Sequence, residues 1–279
     1  MNDRAPVVAA LQMTSGTALD ENLHVARALL AEARAGGACL AVLPENFALM
    51  GRNDAARRAI AERDGGGPVQ DMVARAAREL GLWIIAGTTP ILVDDDDPRP
   101  ANACLVYDAS GHRVARYDKI HLFDVSIPER SESYLESAHA RPGSEPVVVE
   151  TPAGRVGLTV CYDVRFPELY RRLSELGAEL FTVPAAFTAP TGRAHWETLL
   201  RARAIEGLSF VVAAAQSGLH PNGRETWGDS MIIDFWGRVL ARRPTGAGVV
   251  LAPLDRDAMR AARESFPALA HRRLGVTDQ

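Results

Sequence analysis

The chain has 279 residues, 47% of them hydrophobic and 24% charged, with 35 acidic against 31 basic side chains and a formal charge of −4. That length and apolar fraction suffice for a large core in one domain over 1–279 and exclude a disordered chain or a small disulfide scaffold. The mild negative charge, without a dense basic run, argues against nucleic-acid partners. The opening residues lack the pattern of a signal peptide and no stretch approaches about 18 uninterrupted apolar residues, so the expectation is a soluble, cytoplasmic protein with no membrane partner.

In chain order, the first half reads as strands alternating with helices. A strand over 7–11 precedes a helix over about 20–35, with Asp20 as N-cap and Gly36-Gly37 as stop. Residues 39–43 form a short apolar strand that ends at Pro44-Glu45. A helix over about 69–80 follows the Gly-Gly-Gly-Pro break, and 82–89 is a buried strand. The aspartate run 94–97 is a solvated loop, lacking the alternating spacing and glycine of a calcium loop. Strands 103–107 and 113–117 are joined so tightly that they must be antiparallel. The polar segment 121–144 has weak periodicity and carries Glu129, Glu132 and Glu136. A loop of that length in a compact domain is more often functional than idle.

The second half returns to alternation, with strands 147–150 and 156–160, a helix over about 167–176, strand 180–183 and a helix over 195–206. Strands 210–215, 230–234 and 249–253 complete it, and an arginine-rich irregular tail runs from about 266. The pattern predicts an α/β fold of mixed sheets covered by helices.

Three cysteines, Cys39, Cys104 and Cys161, are an odd number without metal-ligand spacing, which argues against a disulfide framework and against a metal site. Cys39 and Cys104 read as small buried hydrophobes. Cys161 differs, because it follows the apolar strand 156–160 and precedes Tyr162-Asp-Val-Arg-Phe-Pro167, where proline can open a helix. A thiol at a strand-to-helix elbow is exposed at the sheet edge, with backbone N–H groups aimed at whatever the sulfur attacks. A thiol of ordinary acidity needs a base or a cation beside it. His121, His195, Glu45, Glu136 and Lys119 are the candidates.

Of the 31 basic residues, 30 are arginines and one is a lysine, Lys119. In so arginine-rich a chain, a lone lysine is either a residual or a position that demands a compact ammonium. Lys119 lies just after a strand, and Glu45 lies at the carboxyl end of another, the edge where open α/β sheets place reactive groups. Strand ends are therefore able to bring Glu45, Lys119 and Cys161 together.

Here the sequence resembles the nitrilase superfamily of carbon-nitrogen hydrolases, whose pattern is a Glu-Lys-Cys triad in that chain order. The matching motifs are Leu43-Pro-Glu-Asn-Phe47, Tyr117-Asp-Lys-Ile-His-Leu-Phe-Asp124 and Gly157-Leu-Thr-Val-Cys-Tyr-Asp-Val-Arg-Phe-Pro-Glu-Leu169; Glu136 in Tyr134-Leu-Glu-Ser137 matches an auxiliary carboxylate. The block from Ala194 to Glu206 is most similar to the Nit branch of amidases. The resemblance implies a four-layer α-β-β-α sandwich, assembly as a homodimer or higher homo-oligomer, and no cofactor. It also implies hydrolysis of a small linear amide to carboxylate and ammonia through a thioester, with deaminated glutathione favoured over ω-amide, N-carbamoyl or nitrile substrates. In that mechanism Glu45 is the base, Cys161 the nucleophile, Lys119 with the Tyr162 N–H the oxyanion donors, and Glu136 the support of Lys119. Arg165, Phe187 and Thr188 are the candidate substrate contacts beside Tyr162. The rivals are a Cys-His hydrolase based on His121 or His195, and a silent binding protein, which requires a broken triad.

Overall fold

The computed structural model describes residues 5–93, 97–127 and 132–274. The first half supplies strands β1 (Val7–Gln12), β2 (Leu40–Val42), β3 (Glu62–Arg63), β4 (Trp83–Leu92), β5 (Ala101–Tyr107) and β6 (Arg113–Asp118). Between them lie helices α1 (Leu19–Ala35), α2 (Asp54–Ala59) and α3 (Pro68–Leu80). A two-stranded ribbon of β7 (Asp124–Ile127) and β8 (Glu132–Leu135) comes next. The second half runs β9 (Val148–Thr151), β10 (Gly154–Leu158), α4 (Pro167–Glu175), β11 (Leu180–Ala185), α5 (Ala189–Gly207) and β12 (Phe210–Ala215). It ends with β13 (Ser217–Leu219), β14 (Glu225–Trp227), β15 (Ser230–Ile233), β16 (Val239–Arg243), β17 (Gly248–Pro253) and α6 (Arg256–Ser265).

Two mixed sheets result, in the orders β17-β1-β2-β4-β5-β6, with β3 on β4, and β16-β15-β12-β11-β10-β9. Each has a central parallel trio, β1-β2-β4 in one and β12-β11-β10 in the other, flanked by antiparallel strands. The similar element order of the two halves thus produces two sheets of similar pattern.

The alternation of side chains along the strands explains the layering. Val8 and Ala10 of β1, Leu40 and Val42 of β2 and Ile85 of β4 face the second sheet. Their neighbours Ala9, Leu11, Ala41 and Ile84 face α1 and α3. Both faces are covered, which is why these strands read as continuous apolar runs rather than alternating ones. Helix α1 buries Leu23, Ala26, Leu30 and Ala33 at helical spacing. Burying a leucine side chain of this kind stabilises the fold by about 2 kcal/mol. On the far side, α4 and α5 lay Leu169, Leu173, Trp196 and Leu200 on the second sheet. The result is the four-layer α-β-β-α sandwich with mixed sheets.

Several elements differ from the sequence expectation. The 121–144 segment is not one loop: it holds the β7–β8 ribbon and a short 3-10 turn, Glu136–Ala138, and its strands are short and belong to neither main sheet. Glu129 and 94–96 lie outside the described residues. Helix α5 begins at Ala189 rather than 195, because Pro190 sits in the first turn, where a missing N–H is harmless. Gly192 is required there, since a Cβ would lie 2.3 Å from the Trp227 side chain. Helices α2 and α6, the hairpin β13–β14 and strand β16 were not expected from the sequence. The residues after Ser265 form no regular element as far as Leu274, and Arg272 pairs with Glu175 of α4.

Candidate active site

The ends of β2, β6 and β10 and the turn after β8 converge on one cavity of about 340 Å³. Glu45 lies three residues beyond β2. The chain passes there against β4, where only glycine fits: a Cβ on Gly87 would come within 2.0 Å of the Pro44 carbonyl oxygen. Asn46 then turns the backbone through the left-handed region at φ 56°, and its N–H donates to the Thr88 hydroxyl at 3.0 Å. Lys119 follows β6, and its N–H donates to the Asn102 carbonyl of β5 at 3.1 Å, so these two residues lie side by side. Glu136 opens the 3-10 turn after β8.

Cys161 stands three residues past β10, at the start of a 3-10 turn over Cys161–Arg165, with φ 48°. A left-handed non-glycine residue costs on the order of 1–3 kcal/mol and persists only where surrounding contacts enforce it. Asp163 enforces this one. Its buried carboxylate accepts the Val160 N–H at 2.8 Å, the Tyr117 hydroxyl at 2.7 Å and the His121 N–H at 3.1 Å, with His121 Nδ1 at 2.7 Å.

The charged groups form one network. The Lys119 ammonium donates to Glu45 Oε1 at 2.9 Å and to Glu136 Oε2 at 2.8 Å. Glu45 Oε2 accepts the Ala186 N–H at 3.0 Å, and Glu136 Oε2 accepts the Phe123 N–H at 2.8 Å. The Asn102 amide donates to Glu45 Oε1 and Glu136 Oε1, both at 3.2 Å. Arg57 completes the cluster at 3.8 Å from Glu136 Oε1. Lys119 is 1% exposed, Glu45 4% and Cys161 6%. Charges this dry persist only when paired and hydrogen-bonded.

The same contacts set the protonation states. Burial alone would push the Lys119 ammonium down, but Glu136 and Glu45 outweigh it and hold the group well above its ordinary value. For Glu136, burial acts upward, yet the adjacent Lys119 and Arg57 hold the carboxyl at about 2. Burial, and then the Glu45 charge, push the Cys161 thiol well above its ordinary range, with Lys119 opposing. The resting sulfur is therefore a thiol, with the Glu45 carboxyl group beside it. Such a group becomes a nucleophile by passing its proton to that carboxylate during attack, with a fixed ammonium beside the reacting atoms.

The structure brings together Glu45, Lys119, Cys161 and Glu136, with Tyr162, Phe187 and Thr188 on the cavity wall. Arg165 is not on that wall. It packs over the Phe187 and Tyr162 rings at 5.0 and 5.8 Å and meets His195 Nδ1 at 3.2 Å. His121 stacks on Phe166 at 3.7 Å and bonds Asp163; neither it nor His195 lines the cavity. Cys104 is fully buried and Cys39 partly so. Sequence reasoning missed Asn102, Arg57 and Arg224. The β5–β6 register, which sets Ala103 opposite Asp118, was the available signal for Asn102 beside Lys119. The two arginines sit on the unexpected helix α2 and next to the unexpected strand β14.

A four-layer α-β-β-α sandwich with a thiol and a buried carboxylate-ammonium network on one cavity defines a hydrolase of this architecture. The carbon-nitrogen hydrolase family model matches residues 7–264, and the chain belongs to that family. It is 41% identical to a deaminated glutathione amidase of Yersinia enterocolitica over 95% of this chain and 92% of that one. It is 43% identical to a protein of the same name from Homo sapiens over 96% of this chain and 82% of that one. Among solved structures, the Caenorhabditis elegans NitFhit protein superposes with a TM-score of 0.90 at 37% identity, covering 99% of this chain and 68% of that one.

Proposed function

We propose that this carbon-nitrogen hydrolase is a cysteine-dependent amidase acting on deaminated glutathione through a thioester at Cys161. One observation carries the reading: the buried Glu45-Lys119-Glu136 network borders the same cavity as the left-handed Cys161 elbow. In this mechanism Glu45 takes the thiol proton as sulfur attacks the amide carbonyl. Lys119 and the Tyr162 N–H stabilise the oxyanion, Glu45 protonates the leaving nitrogen, and it then activates the water that cleaves the thioester. Glu136 holds Lys119 in place. The amide nitrogen of deaminated glutathione carries a peptide fragment, so its leaving group is that fragment's amine rather than the ammonia a primary amide releases.

The names of relatives at 41–43% identity favour this substrate over an ω-amide, an N-carbamoyl compound or a nitrile. The test is product analysis by mass spectrometry across those four classes. The proposal expects the highest kcat/KM on deaminated glutathione, and a higher value on any other class overturns the substrate assignment.

We further read the chain as one catalytic domain that works in the cytoplasm as a homodimer or higher homo-oligomer. An exposed apolar surface supports the assembly: Trp236 packs on Phe266 at 5.9 Å, and Ile205 borders the adjacent Gly237. Sedimentation of Trp236→Arg against the parent chain tests it, with a shift to monomer expected. Among the described residues no helix is long and apolar enough to cross a membrane.

A further inference from the structure

We propose that Arg224 is a specificity-determining residue of this cavity, which binds a carboxylate carried by the substrate chain away from the scissile amide. The charge balance of the wall points to it. The cavity is lined by two glutamates, Glu45 and Glu136, and by three permanent cations, Lys119, Arg57 and Arg224. Lys119 bridges both glutamates and Arg57 pairs with Glu136, so the two acids are matched by two cations. Arg224 is left over, with no carboxylate within 4.0 Å among the described residues.

This guanidinium is held rather than free to swing into solvent. Its Nη2 donates to the Ala186 carbonyl at 2.7 Å, and its central carbon lies 5.4 Å from the centre of the Tyr134 ring, itself packed on Phe123 at 5.1 Å. Its backbone N–H is fixed on the Asn222 side chain at 3.0 Å. The Arg224 Nε is buried without a hydrogen-bond partner. A fixed, half-buried guanidinium with no counter-ion suits an anionic ligand, and its planar fork matches a carboxylate. Position adds the geometry: the Ala186 N–H binds Glu45 while the Ala186 carbonyl binds Arg224, so one residue of wall separates the base from the cation. A short linear molecule reaches both, its amide at Cys161 and its carboxylate at Arg224.

The inference rests on the amidase reading only for its kinetic arm. That arm compares kcat/KM for glutaramate with that for pentanamide, the neutral amide of equal chain length, in the parent enzyme, Arg224→Gln and Arg224→Lys. The second arm measures glutarate binding to the same three proteins by calorimetry. Loss of a charge-assisted hydrogen bond predicts a fall of about 10- to 100-fold in the glutaramate-to-pentanamide ratio for Arg224→Gln, expressed in KM, with a matching weakening of the glutarate Kd. Arg224→Lys retains part of both. An unchanged ratio together with unchanged glutarate binding in Arg224→Gln overturns the inference. If the parent enzyme hydrolyses no amide, the amidase reading fails, and the glutarate arm alone then decides the role of Arg224.

Discussion

The Lys119 ammonium lies 2.9 Å from the Glu45 carboxylate, with both side chains shut away from water. The one lysine of an arginine-rich chain thus occupies a site where a compact ammonium fits between two carboxylates and a planar guanidinium does not. Lys119→Arg keeps the charge but not the fit, and is expected to lose turnover by about 10²–10³-fold, the usual cost of losing an oxyanion donor. Circular dichroism beside an amide hydrolysis assay checks it, and near-normal turnover removes Lys119 from the reaction.

The seclusion of Lys119 has a chemical signature. An amine-directed acylating reagent at neutral pH is expected to label the folded protein at its α-amino group only, since Lys119 is 1% exposed and held charged by Glu136 and Glu45. Unfolding in guanidinium exposes a second amine. Intact mass before and after denaturation counts the labels, and rapid labelling of Lys119 in the folded state contradicts the buried network.

Glu45→Gln keeps the shape of the side chain but removes the proton acceptor beside Cys161. General-base loss predicts a drop of about 10²–10⁴-fold in kcat. A Cys-His enzyme tolerates that change and loses activity instead with His121→Gln or His195→Gln, so the three variants assayed together separate the two mechanisms.

Asn102 ties Glu45 to Glu136 through one amide group. Asn102→Leu deletes both hydrogen bonds and leaves two buried carboxylates less well solvated. The expected destabilisation is about 1–3 kcal/mol, read from urea denaturation. Asn102→Asp sets a third carboxylate against the other two and is expected to cost more than Asn102→Leu at neutral pH, with the difference shrinking as pH falls.

Glu136 links stability to acid. Its carboxyl sits at about 2 in the folded protein against 4.5 ordinarily, so its contribution is complete above about 4.5 and is lost as pH falls towards 2. Across that window the unfolded chain binds up to one more proton than the folded one, a slope of up to about 1.4 kcal/mol per pH unit. Stability against pH for Glu136→Gln is expected to be flatter there than for the parent chain, and parallel curves contradict the pairing with Lys119.

The sequence made the reactive core legible because Glu45, Lys119 and Cys161 each follow the end of a strand, and the ends of β2, β6 and β10 converge on one cavity although they belong to two sheets. The elbow at Cys161 was legible from the strand and the proline that bracket it; its left-handed φ was not. The outer wall was hidden. Arg57 stands on a helix of six residues, α2, whose amphipathic signal is too short to read, though Asn53 does cap it through the Ala56 N–H at 3.0 Å. Arg224 stands in a hairpin whose strands have three residues each, below the length at which alternation is visible. Arg165 misled because nearness in sequence to Cys161 is not nearness to the cavity; the 3-10 turn carries its side chain over Phe187.

The central claim is that Cys161 carries the acyl group during turnover. Acid-quenching the enzyme during steady-state hydrolysis of deaminated glutathione, followed by peptide mapping, tests it most directly. The account predicts the acyl mass on the Cys161 peptide, released by hydroxylamine as a thioester is, with Cys39 and Cys104 unmodified and Cys161→Ala inactive. An acyl mass on any other residue, or turnover by Cys161→Ala at the parent rate, contradicts it.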